Sequence, residues 1–112
     1  MVLSAPVAAQ DFQKGLAAAQ AGDFATALKE WKPLAEAGDA KSQNMLGTMH
    51  FEGLGVIQDH EEAIKWFKLA AVQGIVEAQI QLGNMYYSGS GVLQDYAEAI
   101  KWYRQSAEKG SA

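Results

Sequence analysis

The chain has no cysteine among its 112 residues, which removes disulfides, thiolate metal sites and cysteine nucleophiles together. That absence leaves the redox compartment open. Positive charge is also short. Nine lysines and arginines stand against thirteen aspartates and glutamates, a net charge of −4. Such a balance argues against a nucleic-acid partner, whose phosphates need a basic face. No apolar run approaches the roughly eighteen residues of a membrane span, so membrane insertion is not expected. β-branched residues are sparse and no stretch alternates with period two, so the chain is all-α.

Chemistry-bearing constellations are missing as well. His50 and His60 are the only histidines, and a third convincing metal ligand is lacking beside them. His60, Glu61 and Glu62 are consecutive and cannot share one helix face. No serine occupies a nucleophile elbow. Gly53-x-Gly55 joins two helices rather than following a strand, so it is not a phosphate-cradling turn. The expectation is a non-enzymatic chain with no metal and no cofactor.

What the chain does have is a repeat. Gly47, Gly53, Gly55, Val56, Gln58, Asp59, Ala63, Ile64, Lys65, Trp66 and Gly74 all recur 36 positions later. Between residues 40–74 and 76–110 roughly sixteen of thirty-five positions are identical, and a period of this size marks stacked supersecondary units. An earlier unit aligns at the same offset in its second half. Ala27 matches Ala63, Lys29 matches Lys65, Trp31 matches Phe67 and Ala35 matches Ala71. Its inter-helix loop is shorter: Gly15 to Asp23 is 8 positions, Gly47 to Asp59 is 12. One domain of three helix pairs follows.

The spacing predicts helices over Gln10–Ala21, Phe24–Ala37, Ala40–Glu52, His60–Gln73, Ile75–Ser88 and Tyr96–Lys109. Asp23 and Asp39 suit helix starts, since their carboxylates accept free first-turn N–H groups. Asp59/Glu62 and Asp95/Glu98 have the spacing of a capping box. Pro33 inside the second pattern predicts a kink. Ahead of the helices, Met1–Gln10 carries no charged side chain, and Val7–Gln10 looks like the small-residue end of a secretory signal, with a cut after Ala9. A basic start and a long apolar core are not present. Residues 1–9 are therefore expected to be a flexible start or a signal remnant. In the second case the chain is periplasmic or secreted, otherwise cytoplasmic.

These motifs resemble Sel1-like repeats, a tetratricopeptide-like helical repeat family. Leu46-Gly47-x-Met49 and Leu82-Gly83-x-Met85-Tyr86 resemble its first helix. Gly53-x-Gly55-Val56-x-Gln58-Asp59 and Gly89-x-Gly91-Val92-x-Gln94-Asp95 resemble its loop, and Ala63-x-x-Trp66-Phe67 and Ala99-x-x-Trp102-Tyr103 its second helix. His50 and Ser106 depart from the tyrosine and alanine usual there. Residues 10–38 look more like a tetratricopeptide repeat, through Gly15 and Gly22-Asp23-Phe24, while 39–74 and 75–110 look like Sel1-like repeats, with a short tail at 111–112. The resemblance implies a right-handed α/α superhelical solenoid. It also implies an interaction module that holds a peptide or protein segment on its concave surface.

The first helices of a solenoid line that surface. The stripe that packing leaves free on them reads Lys41, Asn44, Thr48 and Phe51 in the second unit and Glu77, Ile80, Asn84 and Tyr87 in the third, with Phe12 and Leu16 from the first. Trp66/Phe67 and Trp102/Tyr103 are expected to fill the space between successive pairs. No helix follows the last pair in this sequence to cover Trp102 and Tyr103, so either the chain is cut from a longer array or this end is an interface. In the second case Trp102 and Tyr103 are candidates for self-association, and the alternative to the binding module is a self-associating scaffold, a homo-oligomer.

Overall fold

The computed structural model describes residues 11–110. The expected signal remnant at 1–9 and the tail at 111–112 lie outside the described residues. Six helices follow in order: α1 (Phe12–Gln20), α2 (Phe24–Glu36), α3 (Ala40–Glu52), α4 (His60–Val72), α5 (Val76–Ser88) and α6 (Tyr96–Gly110). Each helix packs on the next in the chain, so α1/α2, α3/α4 and α5/α6 form pairs and the pairs stack in sequence. The product is an all-α solenoid measuring 50 × 31 × 23 Å.

Helix starts follow the aspartates. Asp39 Oδ2 accepts from the Ser42 amide at 2.9 Å and from its hydroxyl at 2.6 Å. Asp59 and Asp95 accept from the amides of Glu62 and Glu98 at 3.1 and 3.0 Å. The return arm of the expected capping box is not made. The Asp59 and Asp95 amides donate instead to the His50 and Tyr86 carbonyls, closing the loop onto the preceding helix. Glu62 and Glu98 turn outward to Lys65 and Lys101. Two starts depart from expectation. α1 was expected over Gln10–Ala21 and runs over Phe12–Gln20, with Asp11 as its N-cap accepting from the Gln13 and Lys14 amides. α5 begins after Ile75, which offers no side-chain cap where the second repeat has Asp39. Pro33 does not end α2, which continues to Glu36.

Within each pair an aromatic ring of the second helix lies on a glycine of the first. A Cβ at Gly15, Gly47 or Gly83 would run into the rings of Trp31, Phe67 and Tyr103 respectively. The two helices approach that closely because glycine leaves the space empty. Phe67 also fills the space between the second and third pairs, as expected, because its other side meets Leu82, Met85 and Trp102, whereas Tyr103 lies on Gly83 of its own pair. The neighbouring tryptophans face the preceding pair: Trp66 packs against the core of the first pair, and Trp102 against that of the second. Adjacent residues on a helix are about 100° apart, so one faces its own pair and the other the preceding one.

Polar groups stitch the pairs. Gln43 and Gln79 are buried, and their Nε2 groups donate to the Ala35 and Ala71 carbonyls at the end of the preceding pair. In the loops, Gln58 and Gln94 donate to the Phe51 and Tyr87 carbonyls at 2.9 and 2.8 Å, fixing each loop to the end of its first helix. Gly55 and Gly91 take φ of +73° and +75°, as expected for the tight connection, and lie against Phe24 and His60 of the preceding pair, leaving no room for a Cβ. Val56 and Val92 seal the loops onto the two core clusters.

Candidate peptide-binding face

The stripe expected on the first helices divides in two. Lys41, Glu77, Ile80, Asn84 and Tyr87 are exposed. Phe12, Leu16, Asn44, Thr48 and Phe51 are half-buried. Phe12 stacks on Trp31 with centroids 5.6 Å apart, and its carbonyl accepts from the Trp31 indole. Leu16 packs with it on the first core cluster. Phe51 packs on the second cluster and stacks on His60 at 4.6 Å. These three side chains therefore support the fold and leave only an edge to a ligand. The reason lies in superhelical stacking: each pair is partly covered by the next, which a helical wheel drawn for one helix does not show.

The remaining side chains form a mixed surface. Lys41 Nζ lies 5.9 Å above the Phe12 ring, joining the stripe of α3 to that of α1. Glu77 occupies the same repeat position as Lys41 with the opposite charge. The Thr48 hydroxyl is engaged by the Asn44 carbonyl at 3.3 Å, so it does not face a ligand as a free donor. Asn84 Oδ1 accepts from the Tyr103 hydroxyl, which leaves its amide NH2 outward. Asn44 differs from both. Its Oδ1 is shielded from solvent and has no hydrogen-bond partner among the described residues. A shielded acceptor without a donor is costly, and such groups are rare unless something completes them.

At the end of the stack the expected bare surface is of different composition. Trp102 is only 5% exposed and belongs to the core between the second and third pairs, so it does not lie on the end face. Tyr103 is half-buried on Gly83. The residues that stand open are Tyr87, Tyr96 and Ile100, which with Ala99 and Tyr103 line a cleft of about 350 Å³. Tyr96 and Ile100 stand out in the sequence only as motif and repeat positions, not as candidates for this surface. The signal was present in the repeat, because Ile64, the counterpart of Ile100, is buried by the following pair.

The histidines lie apart from one another in role. His60 stacks on Phe51, and His50 sits half-buried with Nδ1 unpartnered. Among the described residues no group of three or more histidines, aspartates or glutamates could hold a metal ion, and no helix is long and apolar enough to cross a membrane.

The architecture and motifs agree with a known family. A family model described as the Sel1 repeat matches residues 40–75 and 76–111. The chain belongs to the Sel1 repeat family. Sel1 repeats are generally protein–protein interaction modules. A Sel1 repeat protein from Oxalobacter formigenes superposes with a TM-score of 0.84 at 32% identity, over 88% of this chain and 41% of that one. The protein c5321 is described as a protective antigen present in uropathogenic Escherichia coli strains and displaying an SLR fold. It superposes with a TM-score of 0.84 at 38% identity, over 88% of this chain and 22% of that one. The chain thus spans less than half the length of either. No curated protein matches it.

Proposed function

We propose that this Sel1 repeat chain is a non-enzymatic binding module that holds an extended peptide segment along the first helices of its pairs. The observation that carries this reading is the exposed mixed stripe on the first helices, Lys41 on α3 with Glu77, Ile80, Asn84 and Tyr87 on α5. The exposed Asn84, whose Oδ1 is taken by the Tyr103 hydroxyl, has its amide NH2 to offer to a backbone carbonyl of the segment. Lys41 and Glu77 favour a segment with an acidic residue toward the first pair and a basic one toward the third. Ile80 and Tyr87 add apolar contact.

The test begins with peptides selected from a random library on the immobilised chain. Titrated into isotope-labelled protein, they should shift the side-chain amide signals of Asn44 and Asn84. Replacing Asn44, Asn84 and Tyr87 together by alanine should abolish binding with helicity unchanged. Undiminished affinity in that variant, or shifts confined to α2, α4 and α6, would overturn the assignment.

Self-association through the last pair is a second reading. It is favoured by Ile100, which is 49% exposed where its repeat counterpart Ile64 is 5% exposed.

A further inference from the structure

We infer that His60 is a pH-sensitive latch on the loop between α3 and α4: its neutral imidazole holds Gln58 in place, and its protonation releases the loop. Gln58 Nε2 carries two hydrogens. One goes to the Phe51 carbonyl at 2.9 Å, which can only accept and so fixes which way the amide faces. The other reaches toward His60 Nε2, 3.5 Å away. That contact needs a lone pair on Nε2, so the ring has to be neutral with its proton on Nδ1. An imidazolium carries N–H at both nitrogens and sets donor against donor. The ring itself is held. It lies stacked on Phe51 with centroids 4.6 Å apart and planes 17° apart, and Gly91 of the next loop packs on its Cβ.

The surrounding charges decide which partner gives way. The cleft beside His60 is lined by Gln58, Asp59, Glu61 and Gly91, so two carboxylates share it. On α3 the charged neighbour of Phe51 is Glu52, which is exposed, and the next loop carries no charge from Gly89 to Gln94. These carboxylates favour a cationic ring, and a cation over the Phe51 face strengthens the stack. Only the start of α4, where His60 is the first residue, opposes it. The imidazolium therefore stays on Phe51, and Gln58 moves. Its amide is planar, so turning the second hydrogen away draws the first off the Phe51 carbonyl. The loop so freed also seats the second pair on the first: Leu54 and Val56 pack on the first core cluster, and Gly55 lies against Phe24. A fall in pH through the histidine range, between about 8 and 5, thus loosens this joint. The third repeat has the same latch without the titrating ring. There Gln94 donates to the Tyr87 carbonyl at 2.8 Å and to the Tyr96 hydroxyl at 3.2 Å, and a phenol hydroxyl goes on accepting over that range.

The experiment is an NMR titration of the isotope-labelled chain from about pH 8 to 5, with the third repeat as the control inside the same molecule. The Gln58 side-chain amide signals should move together with the His60 ring signals. The Asp59 amide closes the loop by donating to the His50 carbonyl. Its protection factor against hydrogen exchange should fall about fivefold, the equivalent of one hydrogen bond. Gln94 and the Asp95 amide should hold steady. His60→Tyr, which copies Tyr96, should abolish the response, while His50→Tyr, which copies Tyr86, should leave it intact. Gln58 and Asp59 unmoved while His60 titrates, as when the ring simply turns a carbon toward Gln58, would overturn the latch. A response that survives His60→Tyr, or one of equal size at Gln94, would overturn it as well.

Discussion

The ring of Phe67 rests against the bare Cα of Gly47, where an added Cβ would lie 2.5 Å from Cδ1. Phe67 is fully buried, with its own pair on one side and the third pair on the other, so the ring has nowhere to go. Gly47→Ala should therefore destabilise the fold. Overpacking at the severe end costs about 3 kcal/mol, offset by about 1 kcal/mol from alanine's better helix propensity. A net loss of about 2 kcal/mol in urea unfolding is expected. Gly83→Ala meets Tyr103, which is half-buried at the open end and can swing outward. Its loss should stay within about 1 kcal/mol. A larger loss at Gly83 than at Gly47 would contradict the account.

The architecture was legible because a solenoid writes each contact more than once. Gly47/Phe67 and Gly83/Tyr103 recur at the repeat offset, and Gly15/Trp31 differs only by the clipped loop. Direction was harder to read. Trp102 and Tyr103 are neighbours in sequence and were expected on one face, yet one is buried against the preceding pair while the other lies on its own glycine. The glutamines were missed as well. Gln43 and Gln79 sit at equivalent positions, and nothing in their residue type separates a buried staple from a solvated side chain. For the candidate site, helical spacing located the stripe. How far Phe12, Leu16 and Phe51 are absorbed into packing depends on how neighbouring pairs overlap, which no single helix encodes.

Gln43 and Gln79 offer a matched pair for measurement. Gln43 donates to the Ala35 carbonyl at 3.1 Å, and its Oε1 accepts from Gln73 Nε2 at 2.9 Å. Gln79 makes the equivalent donation to Ala71, but its Oε1 is buried without a partner among the described residues. Methionine at position 43 removes two hydrogen bonds, while the Ala35 carbonyl keeps the Gly38 amide as a donor, for a loss of about 2 kcal/mol. At position 79 one bond is lost, and an unsatisfied oxygen is removed with it. That loss should be about 1 kcal/mol or less. Equal losses in chemical denaturation would show that the partner to Gln43 adds nothing.

The missing partner to Gln79 has an identifiable origin. Gln73 bridges Gln43 Oε1 and the Gly38 carbonyl in the second pair, and its repeat counterpart is Lys109, whose side chain lies over Gly74. Lys109→Gln restores the residue that makes the bridge one repeat earlier. It should raise stability by about 0.5–1 kcal/mol, the net worth of a hydrogen bond near a helix end. Combining it with Gln79→Met should erase the gain, since the acceptor is gone. A gain that persists in the double variant would place its cause elsewhere, in the removed charge.

Asp23 provides a pH-dependent check on the second helix. The Thr26 hydroxyl, and then the Thr26 amide, hold its carboxyl below the ordinary aspartate value. A depressed folded-state value means that the carboxylate contributes stability above its unfolded-state pKa, and that this contribution fades as pH falls through the folded value. Thr26→Val keeps the side-chain shape and removes the hydroxyl while leaving the amide that donates at 3.2 Å. The Asp23 pKa should then rise toward its ordinary value without reaching it. The acid-side loss of stability traceable to Asp23 should shrink accordingly. Carboxyl-carbon NMR titration of the two proteins measures this directly. An Asp23 titration unmoved by the substitution would mean that the amide alone holds the carboxylate, and that the hydroxyl faces solvent.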